Sequence, residues 1–143
     1  MIIFTYRELK SAWNNCRTAF ESADTKSNAH RLLLFYAVET GLKAVYLKRN
    51  NKNDTGCDDA KALFSEIQHN LNKLMHELRT GSELNLPADI QLNDLKLPTT
   101  NRRPSSAKLN EIWRYGAIAI RPTDAELENQ LIAILAWIDG ELR

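Results

Sequence analysis

A chain of 143 residues with 43% hydrophobic and 26% charged residues has the composition of one folded domain, not of a disordered chain. At this length folding buries roughly two-thirds of the unfolded surface, so a single core suffices without metal or disulfide staples. The net charge of +1 excludes a partner chosen by bulk charge: nine Lys/Arg against five Asp/Glu in residues 1–56 become ten against thirteen in residues 57–143, too small a polarity to announce a nucleic-acid binder.

Met1, Ile2, Ile3 and Phe4 are followed at once by Thr5, Tyr6, Arg7 and Glu8. No apolar run is long enough for a signal peptide or a membrane span, so the expectation is a cytoplasmic protein without membrane contact. Cys16 falls on a helical stripe and Cys57 in a polar stretch, without CxxC spacing, which points to reduced thiols. Thr5 and Glu8 have the spacing of a capping box, in which hydroxyl and carboxylate reciprocally satisfy backbone N–H groups. The helix they start carries Tyr6, Leu9, Trp13, Cys16 and Phe20 on one stripe. Its polar residues fall opposite that stripe.

The second helix, about Ser27 to Arg49, has two opposed apolar faces. One holds Ala29, Leu33, Tyr36, Ala37, Thr40, Ala44 and Leu47, the other Leu34, Val38, Gly41, Leu42 and Val45. Such a helix runs through the centre of a bundle or packs its second face on another subunit. Ala37, Gly41 and Ala44 invite close approach by a neighbour.

A polar connector at 50–58 precedes a stripe of Ala60, Leu63, Phe64, Ile67, Leu71, Leu74, Met75 and Leu78, whose periodicity draws one long helix. Residues of about 80–105, with Gly81, Pro87, Pro98 and Pro104, read as a long loop, a feature that is functional or mobile in a compact domain. Ser106 starts a fourth helix with Leu109, Ile112, Trp113 and Ile120, and Thr123 with Glu126 caps a fifth with Leu127, Leu131, Ile134, Leu135 and Ile138. No strand is evident. The expected architecture is therefore one all-α domain over 1–143, an up-and-down bundle of about five helices.

Chemistry-bearing motifs are sparse. His69 and His76 are seven residues apart with Lys73 between them, about 10 Å along a continuous helix and too far to share a metal unaided. No metal or cofactor is expected. Phosphate loops, HExxH and GxSxG are absent from the sequence, which disfavours the enzyme classes built on them. Glu39 and Lys43, four apart, are ordinarily a surface pair worth about 0.2–0.5 kcal/mol. They lie, however, on the strip between the two faces of the second helix, beside Tyr46 and Phe35, where they border a groove. Lys43, Lys48, Arg49 and Lys52, and again Arg102 and Arg103, are cations able to hold a phosphate backbone or to complement a helix end.

Three pieces together resemble the HEPN family of small α-helical domains. They are Ala37-Val38-Glu39-Thr40-Gly41-Leu42-Lys43-Ala44, similar to the family's Glu followed by Leu-Lys-Ala; His69-Asn70-Leu71, where the family has His-Asp-Leu; and Arg114-Tyr115-Gly116, a variant of Arg-Tyr-Pro. The resemblance covers roughly Ser27 to Leu142. It implies an HEPN-like bundle and a chain break just before His69, against the periodicity. Many HEPN domains are dimeric ribonucleases with an Arg separated by four to six residues from a following His, and this chain lacks that spacing. The resemblance therefore implies a non-catalytic interaction module, a homodimer or a subunit bound to a protein partner. Its setting would be a toxin–antitoxin, phage-defence or stress-response system, with contact to RNA or nucleotide. No catalytic residue is assigned; the candidate lining is Glu39, Lys43, Tyr46, His69, Lys73, Arg114 and Tyr115. Two alternatives stand beside it: a metal-independent ribonuclease or toxin with His69 as base and Arg114, Lys43 or Lys73 as clamps, and a structural or regulatory protein-binding subunit using Arg102 and Arg103 in the long loop.

Overall fold

Helix α1 (Tyr6–Glu21) starts where the capping pattern puts it. The Glu8 amide donates to Thr5 Oγ1 at 3.0 Å, and the Thr5 amide donates to Glu8 Oε1 at 2.9 Å. The computed structural model describes residues 2–93 and 102–143, and among these it has six α-helices and one two-stranded sheet. No helix among the described residues is long and apolar enough to cross a membrane.

Helix α2 (Asn28–Arg49) is the centre of the molecule, with α1 along one side and α6 (Asp124–Leu142) along another. Its second face, Leu34, Val38, Gly41, Leu42 and Val45, is buried by this chain's own helices, so the case for a second subunit on that face falls away; of the first face, Ala37, Ala44 and Leu47 are buried while Ala29, Leu33, Tyr36 and Thr40 are not. From Leu34 to Leu47 every residue is buried except Tyr36, Thr40, Lys43 and Tyr46. That spacing of four, three and three is one helical strip, a single open seam along an otherwise enclosed helix. Gly41 lies on the enclosed side. A Cβ there would come within 2.7 Å of Trp13 Cδ1 and 2.9 Å of Ile138 Cγ2, so α1 and α6 both close on α2 at that residue. Arg31 Nε meets Glu128 Oε1 at 3.2 Å near the starts of α2 and α6, and Lys48 Nζ donates to the Glu141 carbonyl at 2.8 Å near their ends. The two helices therefore run parallel. Helix α1 runs antiparallel to α2, since Thr5 at its start bridges to Asp54 just past the end of α2.

The long third helix is two helices, α3 (Asp58–Ile67) and α4 (Leu71–Leu78). The fourth is also shorter than its stripe suggested. Helix α5 spans only Leu109–Arg114, after a 3-10 turn at Ser106–Lys108. Gly116 follows at φ +76, a left-handed conformation that glycine adopts without steric cost, and the chain becomes extended. Strands result where none is evident in the sequence: β1 (Gln91–Leu92) pairs antiparallel with β2 (Ala119–Arg121). Ile120, expected on a buried stripe, is 47% exposed while Ala119 is buried, the alternation of a strand.

Part of the 80–105 segment is likewise built. Leu86 and Ile90 are buried. Asn72 of α4 clasps Leu86, its Nδ2 donating to the Leu86 carbonyl at 2.9 Å while its Oδ1 accepts from the Leu86 amide at 2.8 Å. The Ile90 and Leu92 amides donate to the carbonyls of Pro104 and Arg102, both at 2.8 Å. Residues 94–101, Pro98 included, lie outside the described residues. The final helix is capped as its sequence indicates, the Glu126 amide donating to Thr123 Oγ1 at 3.1 Å, and Leu127, Leu131, Ile134, Leu135 and Ile138 are all buried.

Candidate functional site

The break between α3 and α4 makes the site. Gln68 takes φ +54 and ends α3, and Asn70 Oδ1 accepts from the Lys73 amide at 3.2 Å as the N-cap of α4. Asparagine is among the best residues for that job because its short side chain reaches an unpaired amide of the first turn. His69 is held in the three-residue corner between them, with 47% of its side chain exposed. Its Nδ1 lies 2.7 Å from Glu39 Oε2, on α2 thirty residues away.

Glu39 is 7% exposed and its two oxygens are both engaged, Oε2 with His69 and Oε1 with Lys43 Nζ at 3.9 Å. An ionised carboxylate can only accept, so Nδ1 of His69 carries the proton and Nε2 is the nitrogen available to a ligand. Phe35, fully buried, backs the imidazole with ring centroids 6.5 Å apart. Lys43 Nζ lies 5.3 Å from the centroid of Phe64, whose ring meets Tyr46 edge-on at 5.5 Å. Burial, and then the neighbouring Asp59, Cys57 and Glu77, push the Tyr46 hydroxyl above its ordinary range. It remains a phenol and a hydrogen-bond donor.

A cavity of about 260 Å³ opens beside His69, with Lys73, Lys108, Asn110 and Glu111 in its lining. It shares Glu66, Ile67, Asn70, Lys73 and Ala107 with a larger one of about 460 Å³ that continues to His76 and Ser105. The two form one trench along the start of α4, lined by both signs of charge. Lys108 and Asn110 were not singled out from the sequence, where Lys108 is one of many surface lysines. Asn110 carries a weak signal, being a polar residue beside the stripe that is only 3% exposed.

Glu39 therefore meets both His69 and Lys43, Lys73 shares the cavity beside His69, and Tyr46 sits further down the same seam. Arg114 reaches the seam by another route, its Nη2 donating to the Tyr36 hydroxyl at 3.1 Å. In the sequence Tyr36 is one more residue of an apolar stripe, with nothing to mark it as an acceptor for Arg114. Tyr115 is 76% exposed with Arg114 near its ring. Arg102 donates to the Asn93 carbonyl at 3.1 Å and Arg103 to Gln91 Oε1 at 3.0 Å, so both tie the base of the loop. His30 accepts from the Ser27 amide at 3.1 Å at the start of α2. Among the described residues no group of three His, Cys, Asp or Glu is placed to hold a metal ion. Comparison with protein-family models, curated proteins and solved structures returned no match.

Proposed function

We propose that this chain is an HEPN-like interaction module that contacts RNA or a nucleotide through the trench beside His69, as a dimer or as a subunit of a toxin–antitoxin, phage-defence or stress-response system. The observation that carries this reading is the 2.7 Å contact between buried Glu39 and half-exposed His69. Taking a carboxylate out of water costs several kcal/mol after relaxation. An arrangement that spends this on aiming one solvent-facing imidazole is characteristic of a site that handles protons or phosphate oxygens. Lys73 and Lys108 supply cations in the same cavity, while Glu66 and Glu111 oppose a long run of phosphates and favour a short contact. Since the second face of α2 is internal, the surface for a dimer or protein partner is better sought at Tyr115, Ile118 and Ile120, exposed by 76%, 55% and 47%.

The test is fluorescence anisotropy of a labelled single-stranded RNA at low and physiological salt, with His69→Ala and Lys73→Ala, alongside the mass in solution by light scattering. Saturable, salt-dependent binding weakened by both substitutions is expected. RNA binding indifferent to both, or none at low salt, refutes the trench as an RNA site.

A second reading, a metal-independent ribonuclease, is favoured by the same pair, because a base held by an orienting carboxylate is the arrangement acid–base catalysis needs. His69 Nε2 would take the 2′-hydroxyl proton, with Lys73 of the same cavity facing the phosphate charge. Cleavage of RNA in excess EDTA that is lost in His69→Ala supports it; cleavage that survives His69→Ala sinks it.

A further inference from the structure

Further along the seam, on the side of α2 where the chain begins, lies a separate cleft of about 210 Å³. Ile2 and Phe4 form one wall, in which Phe4 is fixed because the Thr55 amide donates to the Phe4 carbonyl at 2.8 Å and the Phe4 amide donates to Thr55 Oγ1 at 3.0 Å. Phe64 of α3 forms another. The apolar walls are left open, Ile2 being 72% and Phe4 44% exposed. The polar lining includes Lys43, Lys61 and Thr55, and no Asp or Glu contributes. Lys61 has no carboxylate partner among the described residues. Lys43, 3.9 Å from Glu39 Oε1, has further ammonium hydrogens to donate. Thr55 Oγ1 is used as an acceptor, which leaves its own hydrogen for a ligand.

We propose that this cleft binds a small amphipathic carboxylate, its hydrocarbon or aromatic body against Phe4 and Phe64 and its carboxylate between Lys61 and Lys43. Charge complementarity sets the sign of the ligand, since two cations without a carboxylate in the lining attract an anion and repel an alkylammonium of the same shape. Size sets the class. A cleft of about 210 Å³ is smaller than the roughly 300–1,000 Å³ of drug-sized sites, which suits a short acyl chain or one ring and excludes a nucleotide. Lys43 also belongs to the Glu39 pair, but the site is distinct from the trench and its occupancy is read without RNA.

The experiment is titration of the ¹⁵N-labelled protein with hexanoate and, separately, with hexylammonium, followed by amide spectra. Expected are saturable shifts at Phe4, Thr55, Lys61 and Phe64 with hexanoate, an affinity for hexylammonium lower by about tenfold or more, and a similar loss for hexanoate in Lys61→Glu. Lys61 is exposed, so that variant retains the fold, which unchanged amide positions elsewhere verify. Absent or non-saturating shifts, equal response to the two probes, or full hexanoate affinity in Lys61→Glu each overturn the proposal.

Discussion

Replacing Glu39 separates a structural carboxylate from one held for function. Its interaction with Lys43 at 3.9 Å has a gross attraction of about 4 kcal/mol at an effective dielectric constant of about 20. The desolvation of a carboxylate that is only 7% exposed opposes it by several kcal/mol. The two sides nearly cancel. The large penalty for breaking a buried pair, about 3–5 kcal/mol, comes from stranding the partner's charge. Here the partners are not stranded, since the side chains of Lys43 and His69 are 21% and 47% exposed and reach water. Glu39→Gln is therefore expected to change stability by no more than about 1 kcal/mol in either direction. It should also release the imidazole, because a carboxamide accepts from or donates to Nδ1 equally well whereas a carboxylate only accepts. Urea unfolding followed by far-UV circular dichroism measures the first effect; long-range ¹H–¹⁵N spectra of the neutral ring measure the second. Nδ1–H alone is expected in the parent protein and a mixture of tautomers in the variant. A loss of more than about 3 kcal/mol, or an unchanged tautomer, would mean that Glu39 holds the fold and that the orientation of His69 does not depend on it.

Gly41→Ala places a methyl group 2.7 Å from Trp13 and 2.9 Å from Ile138. Overpacking of about 1–3 kcal/mol outweighs a helix-propensity gain of at most about 1 kcal/mol, so the melting temperature should fall by several degrees, and an unchanged or raised value contradicts the packing. Asn72→Ala deprives both backbone groups of buried Leu86 of their partner. A cost of about 2–3 kcal/mol and faster hydrogen exchange at the Leu86 amide are expected; retained protection would show that the clasp is incidental. Burial pushes the Cys16 thiol above its ordinary value, which lowers its thiolate fraction in mildly alkaline buffer and with it the rate of alkylation. Iodoacetamide labelling of Cys16 should lag a free cysteine by mass spectrometry, and equal rates would count against its burial.

The features legible in the sequence are those set by local chemistry. Both Thr-x-x-Glu boxes form because each needs only its own first turn. The two-sided burial of α2 was legible because apolar residues on opposed faces have no other use in water. The α3–α4 break, implied just before His69 by the family resemblance, was hidden from the periodicity for a geometric reason. Ile67 and Leu71 are four residues apart and both buried, so the stripe keeps its phase across a corner where the helix does not continue. The signal that overrides it is Asn70 as an N-cap, and a lone asparagine amid a strong period carries little weight. The β1–β2 pair escaped because two- and three-residue strands are too short for alternation to register.

The residues of the site differ in how far the sequence encodes them. A helix enclosed nearly all round tolerates polar side chains only along its one opening, because elsewhere they would lose water without a partner. Glu39 and Lys43 therefore had to border the seam once α2 was recognised as central, and their sequence alone identifies the strip. His69 and Lys73, named as lining only through the family resemblance, and Lys108 and Asn110, not named at all, reach it from two further segments, and no spacing within either segment encodes that meeting. It follows from the corner at Gln68 to Asn70, which turns His69 back onto α2. A substitution that straightens this corner into one helix would leave every apolar stripe intact and still take His69 away from Glu39, so the site is a property of the break and not of the bundle around it.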